Sequence, residues 1–306
     1  RRGRAALYEE SVKLLLARWQ RRVERRGPDG KAQWEPGIEK ALGLGEDRIR
    51  AALERLAYEG HTRQREGVDD AEAFAGAPAD IPQGEVLTVF TAQLPDDMSP
   101  RVLLTYLEER AGLLLGRRPG VYAFPHRSFQ EYLAACHLAN TEADFAGTLC
   151  QLARADPAWW REVFLLGVGK KRLGGEGEAV NVVNVLVPQD VRDVAAPVDA
   201  DWRAVALAGQ ALLELKFPAR AAGNPYFTAV LGRARRWLAA LVDGGHLPVR
   251  DRWQAGDVLG RLGDPRPGVT VIPSEVEGSA SLPDICLLYT SPSPRDRTRS
   301  RMPSSA

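Results

Sequence analysis

Apolar positions recur at helical spacing through most of this chain. In RAALYEESVKLLLARW, Tyr8, Val12, Leu15, Leu16 and Trp19 share one stripe that reaches on to Val23. Such a stripe predicts an amphipathic helix. RRGPDGKAQWEPG then breaks it with Pro and Gly. A second helix is predicted over about 47–60, burying Ile49, Leu53, Leu56 and Ala57. Residues 62–80 are polar, acidic and rich in Gly and Ala, which predicts a loop. IPQGEVLTVFTAQL predicts a short third helix. SPRVLLTYLEERAG predicts a fourth, with Val102, Leu103, Tyr106 and Leu107 on one side.

The period then changes. Leu113 and Leu115 alternate, and so do Tyr122 and Phe124, on either side of Pro119-Gly120. Pro presets φ and Gly accepts a positive φ, so the pair suits a type II turn within a single β-hairpin. Next, Ser128 and Glu131 form an S-x-x-E capping box. Phe129, Tyr132, Leu133, Cys136 and Ala139 give the helix behind it an apolar face, from about Ser128 to about Asn140. His126 stands where the hairpin hands over to this helix. Helix, helix, hairpin is the outline of a winged helix.

From Thr141 onward the pattern predicts helices in series. DFAGTLCQLARA, PAWWREVFLLGVGKK, DWRAVALAGQALLELKF, FTAVLGRARRWLAALV and RDRWQAGDVLGRLG follow one another. Phe227, Val230, Ala234, Trp237 and Leu241 make a clean stripe. EGEAVNVVNVLVPQ fits a strand or a helix, with helix preferred. Trp159, Trp160, Trp202, Trp237 and Trp253 fall on helical stripes and are expected in the core. The period is too irregular for a defined repeat family. The fold class expected is mainly α: a winged-helix domain with one β-hairpin, followed by an irregular α-helical array.

The end of the chain is different material. Residues 1–270 contain three serines, Ser11, Ser99 and Ser128, whereas the last 36 residues contain eight. A shift that abrupt marks a boundary. CLLYTSPSPRDRTRSRMPSSA resembles translated sequencing-adapter read-through, and VIPSEVEGS a translated intergenic repeat. Residues 286–306 are therefore read as a non-native tail without packed contacts, too polar to offset its ordering entropy. Its run of Arg295, Arg297, Arg299 and Arg301 carries no nucleic-acid reading.

Length and charge narrow the classes. The 306 residues allow about two domains. A net charge of +1 gives no global reason to expect nucleic acid or an anionic membrane as partner. Cys136, Cys150 and Cys286 show no metal or disulfide spacing, which fits a reducing, cytoplasmic setting. No signal peptide is visible, and no apolar run approaches the roughly 18 residues of a membrane span. The chain begins at Arg1 with a helix directly behind it, and is read as a fragment cut at its N-terminus.

RAALYEESVKLLLARW, LERLAYEGH, YLEERAGLLL and YAFPHRSFQEYLAACHLA occur in that order. Together they resemble the C-terminal half of a bacterial NACHT-type signal-transduction ATPase of the STAND class. The F-x-H-x-x-F-Q-E-Y-L-A-A string is the most specific of these, and the resemblance covers about 1–140 well. In that family a P-loop ATPase module precedes a small helical domain, a winged helix and a helical sensor region. The resemblance implies that residues 1–26 end the small helical domain, 37–140 form the winged helix and 141–268 the helical sensor. Residues 269–285 become a linker toward a lost C-terminal domain. GRLGDPRPGV and LPDI resemble the lead-in to a formylglycine-generating-enzyme-like domain, a candidate partner module. The family also implies a role for His126: contact with the β-phosphate of ADP held by the upstream ATPase module, which keeps the closed state. The bland reading is a structural hydrogen-bonder at a helix entry. ADP or ATP with Mg would belong to the parent protein, and no cofactor to the fragment.

Catalysis is not expected of the chain itself. No G-x-x-x-x-G-K-[ST] occurs in it. GVGKK at 167–171 fails as a phosphate loop, because Phe164 replaces the first Gly and Lys171 replaces the Mg-ligating Ser/Thr. It is read as a helix end, stopped by Gly, with Lys facing the negative terminus. DNA binding through the winged helix is disfavoured: Arg101 and Arg110 share their helix with Glu108 and Glu109, although Arg117 and Arg118 of the wing could touch phosphate. His61, His137 and His246 lack catalytic partners and are read as surface or partly buried. Cys136 is read as packing. No metal site is expected. A helical protein-interaction module without nucleotide remains the alternative function.

Overall fold

The computed structural model describes residues 3–19, 23–26, 32–35, 43, 45–66, 78–95 and 99–267, and for 18–19, 23–26, 32–35, 66 and 110–111 it describes the backbone alone. The first helix, α1, is Arg4–Trp19. Its stripe stops there, because Val23 lies in strand β1 (Val23–Arg26), which pairs antiparallel with β2 (Ala32–Glu35). The Pro and Gly of this stretch separate the two strands of a hairpin that the helical pattern had hidden. Glu46–Glu66 forms α2, which runs six residues past the end that the periodicity predicts. The predicted loop is therefore helical over 62–66; residues 67–77 lie outside the described residues. Gly60 lies within α2, where a β-carbon would meet the Ile81 side chain at ordinary contact distance, 3.4 Å.

The winged helix follows. Strand β3 (Ile81–Pro82) leads into α3 (Gln83–Thr91), then α4 (Pro100–Tyr106), which widens into a π turn over Leu107–Ala111. Gly112, at φ +61°, closes that turn. Strands β4 (Leu115–Arg118) and β5 (Val121–Ala123) make the wing around Pro119-Gly120, with Gly120 at φ +74°. The wing is wider than one hairpin. Ile81 pairs with Tyr122 and Pro82 with Val121, so β5 is central in a three-stranded sheet. Pro82 is tolerated because β3 is an edge strand. Gln83 N–H donates to the Gly120 carbonyl at 2.8 Å, which pins the wing turn to α3. Leu113 and Leu114 are both buried while Leu115 is exposed, since the strand begins only at Leu115. Val102 also faces outward from α4.

Helix α5 (Arg127–Thr141) leaves the wing and enters the array: α6 (Phe145–Ala155), α7 (Pro157–Gly174), α8 (Glu176–Leu186), α9 (Asp199–Glu214), α10 (Pro225–Gly244) and α11 (Val249–Leu262). EGEAVNVVNVL is thus a helix, α8. The mainly α fold with a winged helix and a helical array holds, with two hairpins in place of one. Helix α5 packs on α2 on one side and α7 on the other, so it joins the winged helix to the array. Tyr8 of α1 stacks on Tyr132 and meets Phe129 edge-on, at centroid distances of 5.5 and 5.4 Å.

Three array residues differ from the pattern. The glycines of GVGKK lie inside α7 and do not stop it, since the helix runs on to Gly174, while Lys171 falls in its last turn as expected. Its glycines are there for close approach: a β-carbon on Gly169 would lie 2.7 Å from Ala5 Cβ, and one on Gly167 3.0 Å from Leu149. Trp253 is 73% exposed. The stripe by which α11 meets its neighbours is Ala255, Val258, Leu259 and Leu262, and Trp253 falls off it. Trp159, Trp160, Trp202 and Trp237 are buried as expected. Cys286 and the tail lie outside the described residues. No helix among the described residues is long and apolar enough to cross a membrane.

Candidate functional site

The site is the entry to α5. His126, not Ser128, caps this helix: its backbone is extended (φ −146°, ψ 145°), and its carbonyl accepts from Phe129 N–H at 3.1 Å. Its Nδ1 accepts from Ser128 N–H at 3.1 Å and lies 2.6 Å from Ser128 Oγ. Nδ1 hangs on Cγ as an Asn or Asp side-chain oxygen does, so the imidazole fills an N-cap with the same reach. This corrects the S-x-x-E capping box. Glu131 does not fold back on Ser128; it takes Arg127 Nε at 2.8 Å inside the fold. Burial, opposed by Arg127, pushes the Glu131 carboxyl up to about 7.

Two consequences follow for the ring. An Nδ1 that accepts an N–H is unprotonated, so neutral His126 carries its proton on Nε2. Nε2 then stands as a single donor on a half-buried ring, with no partner among the described residues. The platform beneath is rigid. Arg127 lies over the Trp159 ring at 4.5 Å, and Gln130 Oε1 accepts from Ala79 N–H at 2.8 Å. Tyr8 of α1 hydrogen-bonds with Ser128, which partly offsets the upward push of burial on its phenol.

The remaining candidates separate cleanly. His61 is fully buried, contrary to expectation, because α2 continues past Gly60. It lies 4.9 Å from both Trp159 and Trp160, and neither ring nitrogen makes a hydrogen bond. Burial, then the nearby Arg127, depresses it to about 3 despite a weak pull from the Trp159 backbone. The sequence named His61 but not its full burial, for which the apolar Trp159-Trp160 pair was the one signal. His137 packs on Tyr58, and the exposed His246 stacks on Trp202 at 4.2 Å. Cys136 and Cys150 are buried free thiols pushed up to about 11 and about 12 by burial. Inert packing is what such thiols supply.

Two further features bear on chemistry. On the wing, Arg118 pairs with Asp80 at 3.0 Å and Arg117 approaches it at 3.8 Å, so both carry a carboxylate partner. Among the described residues no cluster of His, Cys, Asp or Glu is arranged to hold a metal.

Residues 4–138 match the family model of a winged helix-turn-helix domain C-terminal to NACHT. The match takes in α1, the three-stranded wing and nearly all of α5. No curated protein and no solved structure matches the chain.

Proposed function

We propose, from the match of residues 4–138 to the model of a winged helix-turn-helix domain C-terminal to NACHT, that the chain is the switch and sensor part of a nucleotide-controlled signalling ATPase. Such a domain is not a catalytic module. Its partner on this reading is an upstream P-loop ATPase module, which would bring ADP or ATP with Mg. A formylglycine-generating-enzyme-like domain is the proposed neighbour on the other side. Residues 1–26, 37–140 and 141–268 would act as the end of a small helical domain, the winged helix and the sensor array.

One observation carries the reading. The His126 ring is fixed through Nδ1 by the cap it makes, and its Nε2–H is left without a partner among the described residues. A donor held in this way suits a phosphate oxygen across a domain interface. If that bond forms only in the closed ADP state, its free energy biases the closed state. The test is ADP retention by the parent protein with and without residues 4–138. Slower ADP release with the domain present supports the switch, and equal release overturns it.

Exposed Val249 and Trp253 on α11 favour one second reading, a helical module that binds a protein partner without nucleotide. Equal ADP release in the same experiment would select it.

A further inference from the structure

We propose that the cleft between α1, α7, α8 and α9 binds a small molecule carrying one phosphate and an apolar body, with Arg172 as its phosphate ligand. The cleft encloses about 630 Å³, within the range of small-molecule sites. Arg4, Arg172 and Arg220 reach it from three separate places in the chain, and Leu165, Val168 and Leu173 form an apolar wall beside them.

The three guanidinium groups are not equivalent. Arg4 pairs with Glu162 at 2.8 Å and with Glu214. Arg220 pairs with Glu176. Arg172 has no carboxylate partner among the described residues. It is half-buried all the same, and its Nη1 comes close to the start of α1: a β-carbon on Gly3 would lie 3.8 Å away. Burial first, and then the neighbouring Arg220, lowers its pKa.

A half-buried guanidinium with no carboxylate partner among the described residues, beside a second guanidinium, is electrostatically unfavourable by itself. It does suit an oxyanion. The guanidinium fork matches a phosphate bidentately, and Arg220 keeps donors beyond those it spends on Glu176. Glu176 and Glu214 line the same cleft but are spent on Arg220 and Arg4, which leaves Arg172 as its one guanidinium without a carboxylate partner among the described residues, enough for one phosphate. The leucines and Val168 accept its apolar part. His126 does not line this cleft, so the inference stands apart from the nucleotide reading.

The full chain is titrated with inorganic phosphate and with phenyl phosphate at constant ionic strength, reading affinity by calorimetry and melting temperature alongside. Phenyl phosphate is expected to bind saturably and about tenfold more tightly than inorganic phosphate, because the ring is buried against the apolar wall. Arg172→Gln should weaken it by about ten- to a hundredfold. The same variant, without ligand, should melt no lower than wild type, since an uncompensated charge has gone. Arg250→Gln, on the exposed start of α11, should leave phenyl phosphate affinity unchanged. Absence of saturable binding overturns the proposal, as does equal affinity for the two ligands or wild-type affinity in Arg172→Gln. A lower melting temperature in Arg172→Gln would show the arginine to be structural and overturn it too.

Discussion

Glu9 on α1 accepts from both terminal nitrogens of Arg50 on α2, at 2.9 and 2.7 Å. The same carboxylate takes Lys170 Nζ of α7 at 3.1 Å and the Tyr132 hydroxyl of α5. One side chain of the first helix therefore ties it to the winged helix and to the array together. Burial alone would raise the Glu9 pKa, but Arg50, Tyr132 and Lys170 hold it well below the usual carboxylate range. Its contribution to stability is present above the ordinary value of 4.5 and is lost as pH falls below it.

Glu9→Ala leaves Arg50 with Glu54 as its one carboxylate partner among the described residues. Removing one partner of a buried pair costs about 3 kcal/mol. Urea denaturation at neutral pH should show that loss. A change under about 0.5 kcal/mol would mean that the pair behaves as an exposed one.

His61 gives the acid limb a second source. Its depressed pKa means that stability is full above the unfolded value of 6.5 and falls as pH drops toward about 3. His61→Phe keeps an aromatic ring between the tryptophans and leaves no nitrogen to desolvate. At pH 7 the variant should match wild type or exceed it. At pH 5 it should exceed wild type by about a further 2 kcal/mol. Parallel pH profiles for the two proteins would contradict this.

Two glycines, one on α7 and one on α8, offer a paired test. Gly169→Ala drives a β-carbon into Ala5 and should destabilise the α1–α7 contact by about 1–3 kcal/mol. Gly177→Ala, near the start of α8, meets nothing within 4 Å. It should stabilise by about 0.4–1 kcal/mol through the unfolded chain. Thermal melts of both variants check the difference in sign.

These residues also show where the sequence is legible. Helical stripes locate α1 and the array helices because burial follows a 3.6-residue period there. Pro119-Gly120 marks the wing turn because few residues accept its backbone. What the period cannot carry is partner geometry. Trp253 and Val102 sit near apolar stripes but off the faces that meet a neighbour. Gly60, Gly167 and Gly169 read as breaks, although each lies where another element comes close. Strand β3 is two residues long, too short for any alternation to register. At the candidate site the position of His126 was legible and its local role was not. The S-x-x-E pattern drew the cap onto Ser128, whereas the imidazole two residues earlier takes the Ser128 N–H that Glu131 would have accepted.

That local role makes the central claim testable without unfolding the helix entry. His126→Asn keeps a side-chain acceptor on Cγ for Ser128 N–H and removes the Nε2 donor. His126→Ala removes both, and should also lower stability by about 1 kcal/mol. The decisive measurement is the rate of ADP release from the parent protein. A charge-assisted bond to phosphate corresponds to about ten- to a hundredfold in the closed/open ratio. His126→Asn should therefore release ADP faster by about that factor while melting like wild type. Wild-type ADP retention in His126→Asn would contradict the switch assignment and leave His126 as a helix cap alone.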